Sequence, residues 1–145
     1  MIKHQSPAPT NGVILVNKKG DILLVRRAKN PKKGYWDLPG GFVETGESME
    51  DSIKREIKEE LGINVSRLQY LSSFPDKYFY NNVYEDVLGF VFVAHIDTEK
   101  GLKPADDVSA CKFFPKEKIP FERLAFPSLK RALKKYLNTS RSRKS

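Results

Sequence analysis

The segment LPGGFVETGESMEDSIKREIKEELGI, residues 38–63, decides the fold of this chain. Its second half predicts a helix over residues 48–61, because Ser48 can cap the first turn and Gly62 suits the left-handed residue that ends a helix. Apolar side chains recur at helical spacing within this stretch and predict one buried face. These apolar positions are Met49, Ile53, Ile57 and Leu61.

Three carboxylates of this predicted helix, Glu56, Glu59 and Glu60, are expected on one side of it, because residues three and four apart are neighbours on a helix surface. Like charges this close repel one another. A hard divalent cation such as Mg²⁺ relieves the repulsion through carboxylate oxygens, and usually bridges to substrate phosphates. The alternative is a solvated acidic face with ordinary ion pairs, including one from Arg55 to Glu59 and one back to Glu47.

Two adjacent glycines, Gly40 and Gly41, precede the helix and predict a backbone turn that side chains would block. Such a turn also lets a main-chain carbonyl approach a metal ion. Turn and helix together resemble the signature of the Nudix hydrolases: Gly, five residues, Glu, seven residues, then Arg-Glu-apolar-any-Glu-Glu-any-Gly-apolar. Every specified position is present, at Gly41, Glu47, Arg55, Glu56, Ile57, Glu59, Glu60, Gly62 and Ile63.

The resemblance implies an α/β fold, an α/β/α sandwich with a mixed sheet, and hydrolysis of a nucleoside diphosphate linked to another group. It implies Mg²⁺ as the cofactor, with Mn²⁺ as an alternative, held by Glu56, Glu60 and the carbonyl of Gly40. Glu59 matches a position that shares the metal or helps to deprotonate water. Arg55 matches the residue that positions the preceding loop through Glu47.

Further site residues lie outside the signature. Relatives use one more carboxylate as a ligand or general base, for which Asp107 is the candidate, with Asp106, Glu85 and Glu99 in competition. Arg27 ends a predicted strand where relatives place an arginine near substrate phosphate. Aromatic residues that follow the signature could stack on a purine, and Phe74 and Tyr80 are the candidates for substrate binding. The others in this group are Tyr78, Phe79 and Tyr84.

The substrate is less sharply indicated. The residues around Leu23–Arg27 and Gly34–Glu44 resemble the branch that contains ADP-ribose and NADH pyrophosphatases, although the zinc ribbon of many NADH-cleaving members is missing. ADP-ribose or a related ADP-sugar or dinucleotide is therefore the first expectation. Removal of oxidised nucleoside triphosphates and non-catalytic sensing of a nucleotide remain the alternatives.

Composition bounds the remaining possibilities. The chain has 145 residues, one cysteine and a formal net charge of +8, which predicts one domain, no internal disulfide and a preference for anionic ligands. We expect an extension over residues 1–9, a Nudix domain over 10–137 and a basic, disordered tail over 138–145. The expected partner is a small nucleotide in the cytoplasm; a membrane or nucleic-acid partner is not expected, and a homodimer stays open.

Periodicity and turn residues predict the other elements. We expect a mixed sheet with helices on both faces and an aromatic loop over residues 75–84. A final amphipathic helix should begin at Pro127. The predicted strands cover residues 12–16, 22–27, 35–38, 42–43, 65–74, 86–96 and 108–114.

Overall fold

The structure, a computed structural model, describes residues 6–142, apart from the side chains of residues 80, 141 and 142. Seven strands form one sheet and two α-helices pack against it. The strands are β1 (Ala8–Val16), β2 (Ile22–Arg27), β3 (Trp36–Asp37), β4 (Gly40–Phe42), β5 (Gln69–Tyr80), β6 (Val83–His95) and β7 (Val108–Phe114). The helices are α1 (Met49–Leu61) and α2 (Pro127–Ser142).

The sheet is mixed, as predicted. Its main path runs β3-β2-β1-β6-β5, with β4 added to β1 and β7 added to β2. Strands β1 and β6 are parallel, and every other pair is antiparallel. The chain bends at Pro39, and Gly40 and Gly41 then begin β4 beside β1, where Gly40 lies opposite Gly12; the bend and the two glycines are called the Gly40–Gly41 turn below.

Alternate residues of β1 and β2 enter different cores, because successive side chains of a strand point to opposite faces. Val13 and Leu15 join the core under α1, whereas Ile14 and Val16 join the core under α2. Helix α1 contributes Ile53, Ile57 and Leu61 to the first core, and helix α2 contributes Leu129, Ala132 and Leu133 to the second. The predicted α/β/α sandwich is thus confirmed.

Helix α1 has the predicted ends. The Ser48 hydroxyl accepts a hydrogen bond from the Asp51 amide at 3.1 Å, and Gly62 follows the helix in the left-handed conformation with φ of 74°. Ser48 thereby satisfies one of the amides that a helix leaves unpaired at its start. The cap also fixes where the helix begins, and so which side chains face the Gly40–Gly41 turn.

The predicted loop over residues 75–84 is wrong. These residues belong to a long antiparallel hairpin of β5 and β6, whose turn is formed by Asn81 and Asn82 at φ of 52° and 63°. Asparagine accepts positive φ more readily than most residues, which suits a tight hairpin turn. Pro75 is tolerated within β5 because this strand lies at the edge of the sheet. The strand predicted over 65–74 likewise begins only at Gln69.

Two elements extend beyond the bounds expected for the domain. Strand β1 begins at Ala8, within the predicted extension, because it pairs in parallel with β6 from Val87 onward. Helix α2 continues to Ser142, so residues 138–142 are helical where a disordered tail was expected. The Lys116 ammonium donates to Ser140 Oγ at 3.0 Å and anchors this last part. Residues 1–5 and 143–145 lie outside the described part of the chain. Among the described residues, no helix is long and apolar enough to cross a membrane.

Candidate active site

The Gly40–Gly41 turn lies between β1 and α1, and Asn11 links it to both. Asn11 Oδ1 accepts from the Gly41 amide at 3.3 Å, while its Nδ2 donates to the buried Ser52 hydroxyl of α1 at 2.9 Å. Gly40 has φ of 150°, and a Cβ there would lie 2.2 Å from the Asn11 carbonyl oxygen. A Cβ on Gly41 would lie 2.7 Å from the Glu56 carboxyl carbon. Only glycine lets the backbone come this close to β1 and to the carboxylate.

Glu60 is the most buried carboxylate of the signature, with 6% of its surface exposed. Its Oε1 accepts from the Gly40 amide at 3.2 Å. Burial raises the pKa of Glu60 to about 9, and the adjacent Glu56 carboxylate contributes to the rise. Burial also raises the pKa of Glu56, against the lowering effect of Arg55. Glu56 and Glu60 therefore form a pair of neighbouring, largely buried carboxylates.

Arg55 joins the loop before α1 to the acidic side of the helix. Its Nε and Nη2 donate to Glu47 at 2.6 and 2.9 Å, which confirms the predicted pairing of these residues. Its Nη1 donates to Glu56 at 3.0 Å and to Glu59 at 3.2 Å. These bonds from Arg55 lower the pKa of Glu47 to about 2. The guanidinium thus holds the Glu56 carboxylate, and its Nη2 also donates to the Phe42 carbonyl at 3.3 Å.

A cavity of about 330 Å³ opens beside these carboxylates. Arg27 lies in its wall, where Nη1 donates to Asp37 Oδ2 at 2.7 Å and Nε donates to the Pro31 carbonyl at 2.7 Å. Burial raises the pKa of Asp37, and the Arg27 guanidinium opposes that rise. The two hydrogen bonds hold the guanidinium of Arg27 in one orientation toward the cavity.

Most of the predicted site residues meet at this cavity. Five of them line it: Arg27, Gly40, Glu56, Glu60 and Asp107. The other predicted residues are placed differently. Arg55 and Glu59 are not among its lining residues, and Glu59 has 44% of its side chain exposed.

Phe74 is not a lining residue, because it packs against the core under α2, which argues against the predicted stacking role. The side chain of Tyr80 lies outside the described part of the structure. The competing carboxylates Asp106, Glu85 and Glu99 are also absent from the lining, and Glu99 accepts from Asn17 at 3.1 Å.

Two contributors to the cavity, Asp37 and Phe42, were not predicted, whereas Tyr78 belongs to the aromatic group that was expected to stack on a purine. Asp37 was not recognised as the partner of Arg27, which lies on the neighbouring strand two residues after Val25, the residue opposite Asp37. Phe42 and Tyr78 both line the cavity, with their rings 5.9 Å apart and edge to face. Tyr78 also stacks on Phe126 at 4.5 Å. The alternation of the hairpin strands could have indicated Tyr78, because every second residue of β5 faces inward.

The carboxylates fit a divalent cation. Within residues 6–142, no set of three carboxylate, histidine or cysteine side chains is already arranged around a metal position. Glu56 and Glu60 nevertheless line the same cavity, and burial raises the pKa of both. Oxygen ligands of this kind suit Mg²⁺, and a cation between them would offset the cost of burying their charge.

Comparison with known proteins gives three close similarities. An ADP-ribose pyrophosphatase of Methanocaldococcus jannaschii is 40% identical over 115 residues, which make up 77% of this chain and 63% of that protein. A NAD-capped RNA hydrolase NudC of Pseudomonas aeruginosa is 37% identical over 70 residues, 48% of this chain and 25% of that protein. A crystal structure of a MutT NUDIX hydrolase from Burkholderia pseudomallei aligns with a TM-score of 0.78 at 29% identity, covering 90% of this chain and 98% of that chain.

The chain thus spans 63% of the first curated relative and 25% of the second. The family model of the NUDIX domain matches residues 6–136 of this chain. This range includes all seven strands, helix α1 and every residue of the signature. On this match and on the fold, the chain belongs to the Nudix family.

Proposed function

We propose that this protein hydrolyses the pyrophosphate bond of a nucleoside diphosphate linked to a second group, with ADP-ribose as the first substrate to test. The observation that carries the proposal is the placement of Glu56 and Glu60 together at the wall of a cavity, beside a glycine turn, with Arg27 in the same lining. The M. jannaschii relative supports ADP-ribose as the substrate. A cytoplasmic setting belongs to the same proposal, since Cys111 is a free thiol.

The residues that would hold Mg²⁺ or Mn²⁺ are Glu56 and Glu60, with the Gly40 carbonyl as a third ligand. When bound, the cation neutralises charge on the phosphate oxygens and lowers the pKa of a coordinated water. Glu59 stands one turn from Arg55 on the exposed side of α1. In this proposal Glu59 adds negative charge near the metal, while Arg55 keeps Glu56 pointed at the cavity.

Arg27 supplies positive charge to the same cavity. Its guanidinium is anchored by Asp37 and by the Pro31 carbonyl, so it need not be reoriented when the substrate binds. Charge that is already in place stabilises a developing negative charge without a cost of reorganisation. Arg27 would therefore orient the pyrophosphate between itself and the two glutamates.

Asp107 is the candidate general base. It lines the cavity, and its Oδ1 accepts from the Lys29 ammonium at 2.7 Å, with both side chains largely exposed. A carboxylate held by one lysine keeps free lone pairs, and it can accept a proton from an attacking water. We propose this role for Asp107 in place of Glu85, Asp106 or Glu99, which do not line the cavity.

The purine would be held by the aromatic side of the cavity. Phe42 is 44% exposed at the rim, and Tyr78 is fixed behind it by its stacking on Phe126. Burial raises the pKa of Tyr78, so its hydroxyl stays protonated and can donate a hydrogen bond at neutral pH. These two rings replace Phe74 as the proposed stacking surface.

Incubation with ADP-ribose and Mg²⁺ tests the proposal, with release of AMP and ribose phosphate as the expected result. A panel of oxidised nucleoside triphosphates run beside it would release pyrophosphate if the house-cleaning alternative were correct. Binding of ADP-ribose without any product would instead indicate a sensor. An Asp107→Asn variant should still bind ADP-ribose but should lose turnover. A carboxylate that only lies at the rim of the cavity could be replaced without loss of turnover.

A further inference from the structure

A second and larger cleft lies next to the catalytic cavity. It has a volume of about 940 Å³ and runs between the loop after β2 and the tip of the β5–β6 hairpin. Pro127, the first residue of α2, and Phe126 just before it also line the cleft. Lys29 and Asn30 line both the cleft and the catalytic cavity, so the two spaces meet at these residues.

The charged residues that line this cleft are all cationic, although Lys29 pairs with Asp107 at 2.7 Å and Lys77 with Asp86 at 3.8 Å, both outside the lining. Four lysines line it, namely Lys29, Lys32, Lys33 and Lys77, and there is no carboxylate among the described residues of its lining. Lys33 and Lys77 stand on different walls, one on the loop and one on the hairpin. Lysines gathered on several sides of a groove attract phosphate groups. The catalytic cavity, in contrast, is lined by several carboxylates.

An exposed aromatic ring lies beside these lysines. Phe79 lines the cleft, is 50% exposed and contacts the Tyr84 ring at a centroid distance of 4.7 Å. A cationic groove with an exposed ring is the combination that holds a nucleotide, through its phosphate and through its base. The cleft therefore offers contacts both for a phosphate and for a base.

We propose that this cleft binds a further phosphate group of the substrate, beyond the pyrophosphate that is cleaved. The inference rests on the proposed function, because it places the scissile bond in the neighbouring cavity. A further phosphate can be carried on the distal ribose, on the adenosine ribose, or in a short RNA joined to the adenosine. All three present the same anionic group to the lysines.

The experiment compares equilibrium binding of four ligands by calorimetry without metal, so that nothing is hydrolysed. The ligands are ADP-ribose, ADP-ribose with a phosphate on the distal ribose, ADP-ribose with a phosphate on the adenosine ribose, and NAD joined through its adenosine to a trinucleotide RNA. We expect at least one phosphate-bearing ligand to bind about tenfold or more tighter than ADP-ribose, a difference of about 1.4 kcal/mol. Whichever ligand gains identifies the source of the phosphate.

The double variant Lys33→Ala/Lys77→Ala should remove most of this advantage and leave ADP-ribose binding nearly unchanged. The matched control is Lys18→Ala/Lys19→Ala, which removes the same charge at the exposed β1–β2 turn and should retain the advantage. The advantage should also shrink as salt is raised from roughly 50 to 200 mM, since phosphate contacts release counterions.

Equal affinity for all four ligands would overturn the inference, as would an advantage that survives in Lys33→Ala/Lys77→Ala. Hydrolysis of ADP-ribose with Mg²⁺ is measured separately. If ADP-ribose is hydrolysed normally but all four ligands bind equally, only the proposed role of the cleft is rejected. If ADP-ribose is not hydrolysed but a phosphate-bearing ligand still binds more tightly through Lys33 and Lys77, only the proposed reaction is rejected.

Discussion

The Gly40 amide donates to Oε1 of Glu60 across 3.2 Å, and joins two residues that stand 20 positions apart in the chain. This bond ties the turn after β3 to the last full turn of α1. It directs a buried carboxylate toward the backbone that contributes the proposed third metal ligand. The glycine and glutamate of the signature therefore depend on each other's position.

Glu60→Gln should lower turnover by at least about 100-fold while raising the stability of the metal-free protein. Glutamine keeps the acceptor for the Gly40 amide but cannot ionise. In the parent, the Glu60 pKa of about 9 exceeds its unfolded value, so folding takes up a proton between pH 4.5 and 9. The parent should therefore lose stability as pH rises through that range, and the variant should gain about 1–3 kcal/mol at pH 7.

Thermal unfolding in EDTA from pH 5 to about pH 9 measures this difference. Added Mg²⁺ should then raise the melting temperature of the parent at pH 8 and leave that of Glu60→Gln nearly unchanged, because bound ligands stabilise only the state that binds them. Parallel pH profiles for the two proteins, or an equal response to Mg²⁺, would show that Glu60 is not the buried metal ligand.

Gly40→Ala should destabilise the protein by about 3 kcal/mol or more, since its Cβ would lie 2.2 Å from the Asn11 carbonyl oxygen. Gly46→Ala is the matched control. Gly46 also has positive φ, at 89°, but no atom lies within 4 Å of its Cβ position. That variant should lose only about 1 kcal/mol from the strained backbone. Urea unfolding of both would show equal losses if the close approach to Asn11 did not matter.

Arg27→Lys should raise KM for ADP-ribose by about tenfold or more with little effect on folding. Lysine retains the charge beside Asp37, but one ammonium cannot reproduce the fork that bonds both Asp37 and the Pro31 carbonyl. Steady-state kinetics should be compared with Arg26→Lys, whose side chain is exposed and lies over the Trp36 ring. Similar KM values for the two variants would remove Arg27 from the proposed phosphate site.

The elements that could be predicted from the sequence are those with a strong local periodicity. Helix α1 was predicted from its apolar spacing and its two ends, and both caps are present as expected. The β5–β6 hairpin was missed because aromatic residues, Pro75 and two asparagines together resemble a loop. Strand β6 of this hairpin also pairs in parallel with β1, beginning with Ala8 opposite Val87, two residues far apart in the sequence. Local signals cannot report a partner so distant.

The site shows the same division. Glu56, Glu60, Gly40 and Arg27 were identified from the signature and from strand position, and the structure brings them to one cavity. The lysine cleft was invisible in sequence, because its walls come from separate segments that meet only in the fold. Burial of Glu60 was also unforeseen: its position on the helix suggested an exposed side, but the glycine turn covers it.

The hairpin turn offers a last prediction, because it positions Tyr78 at the catalytic cavity. Asn82 has φ of 63°, a conformation that glycine adopts without strain and that a β-branched residue resists. Asn82→Gly should therefore leave stability equal or up to about 0.5 kcal/mol higher, whereas Asn82→Val should lower it by about 1–2 kcal/mol. Glu85→Val is the control, since Glu85 is an exposed residue of β6 in ordinary strand conformation. Asn82→Val should lower the melting temperature and raise KM for ADP-ribose. A lower melting temperature without a change in KM would show that the hairpin does not position the substrate.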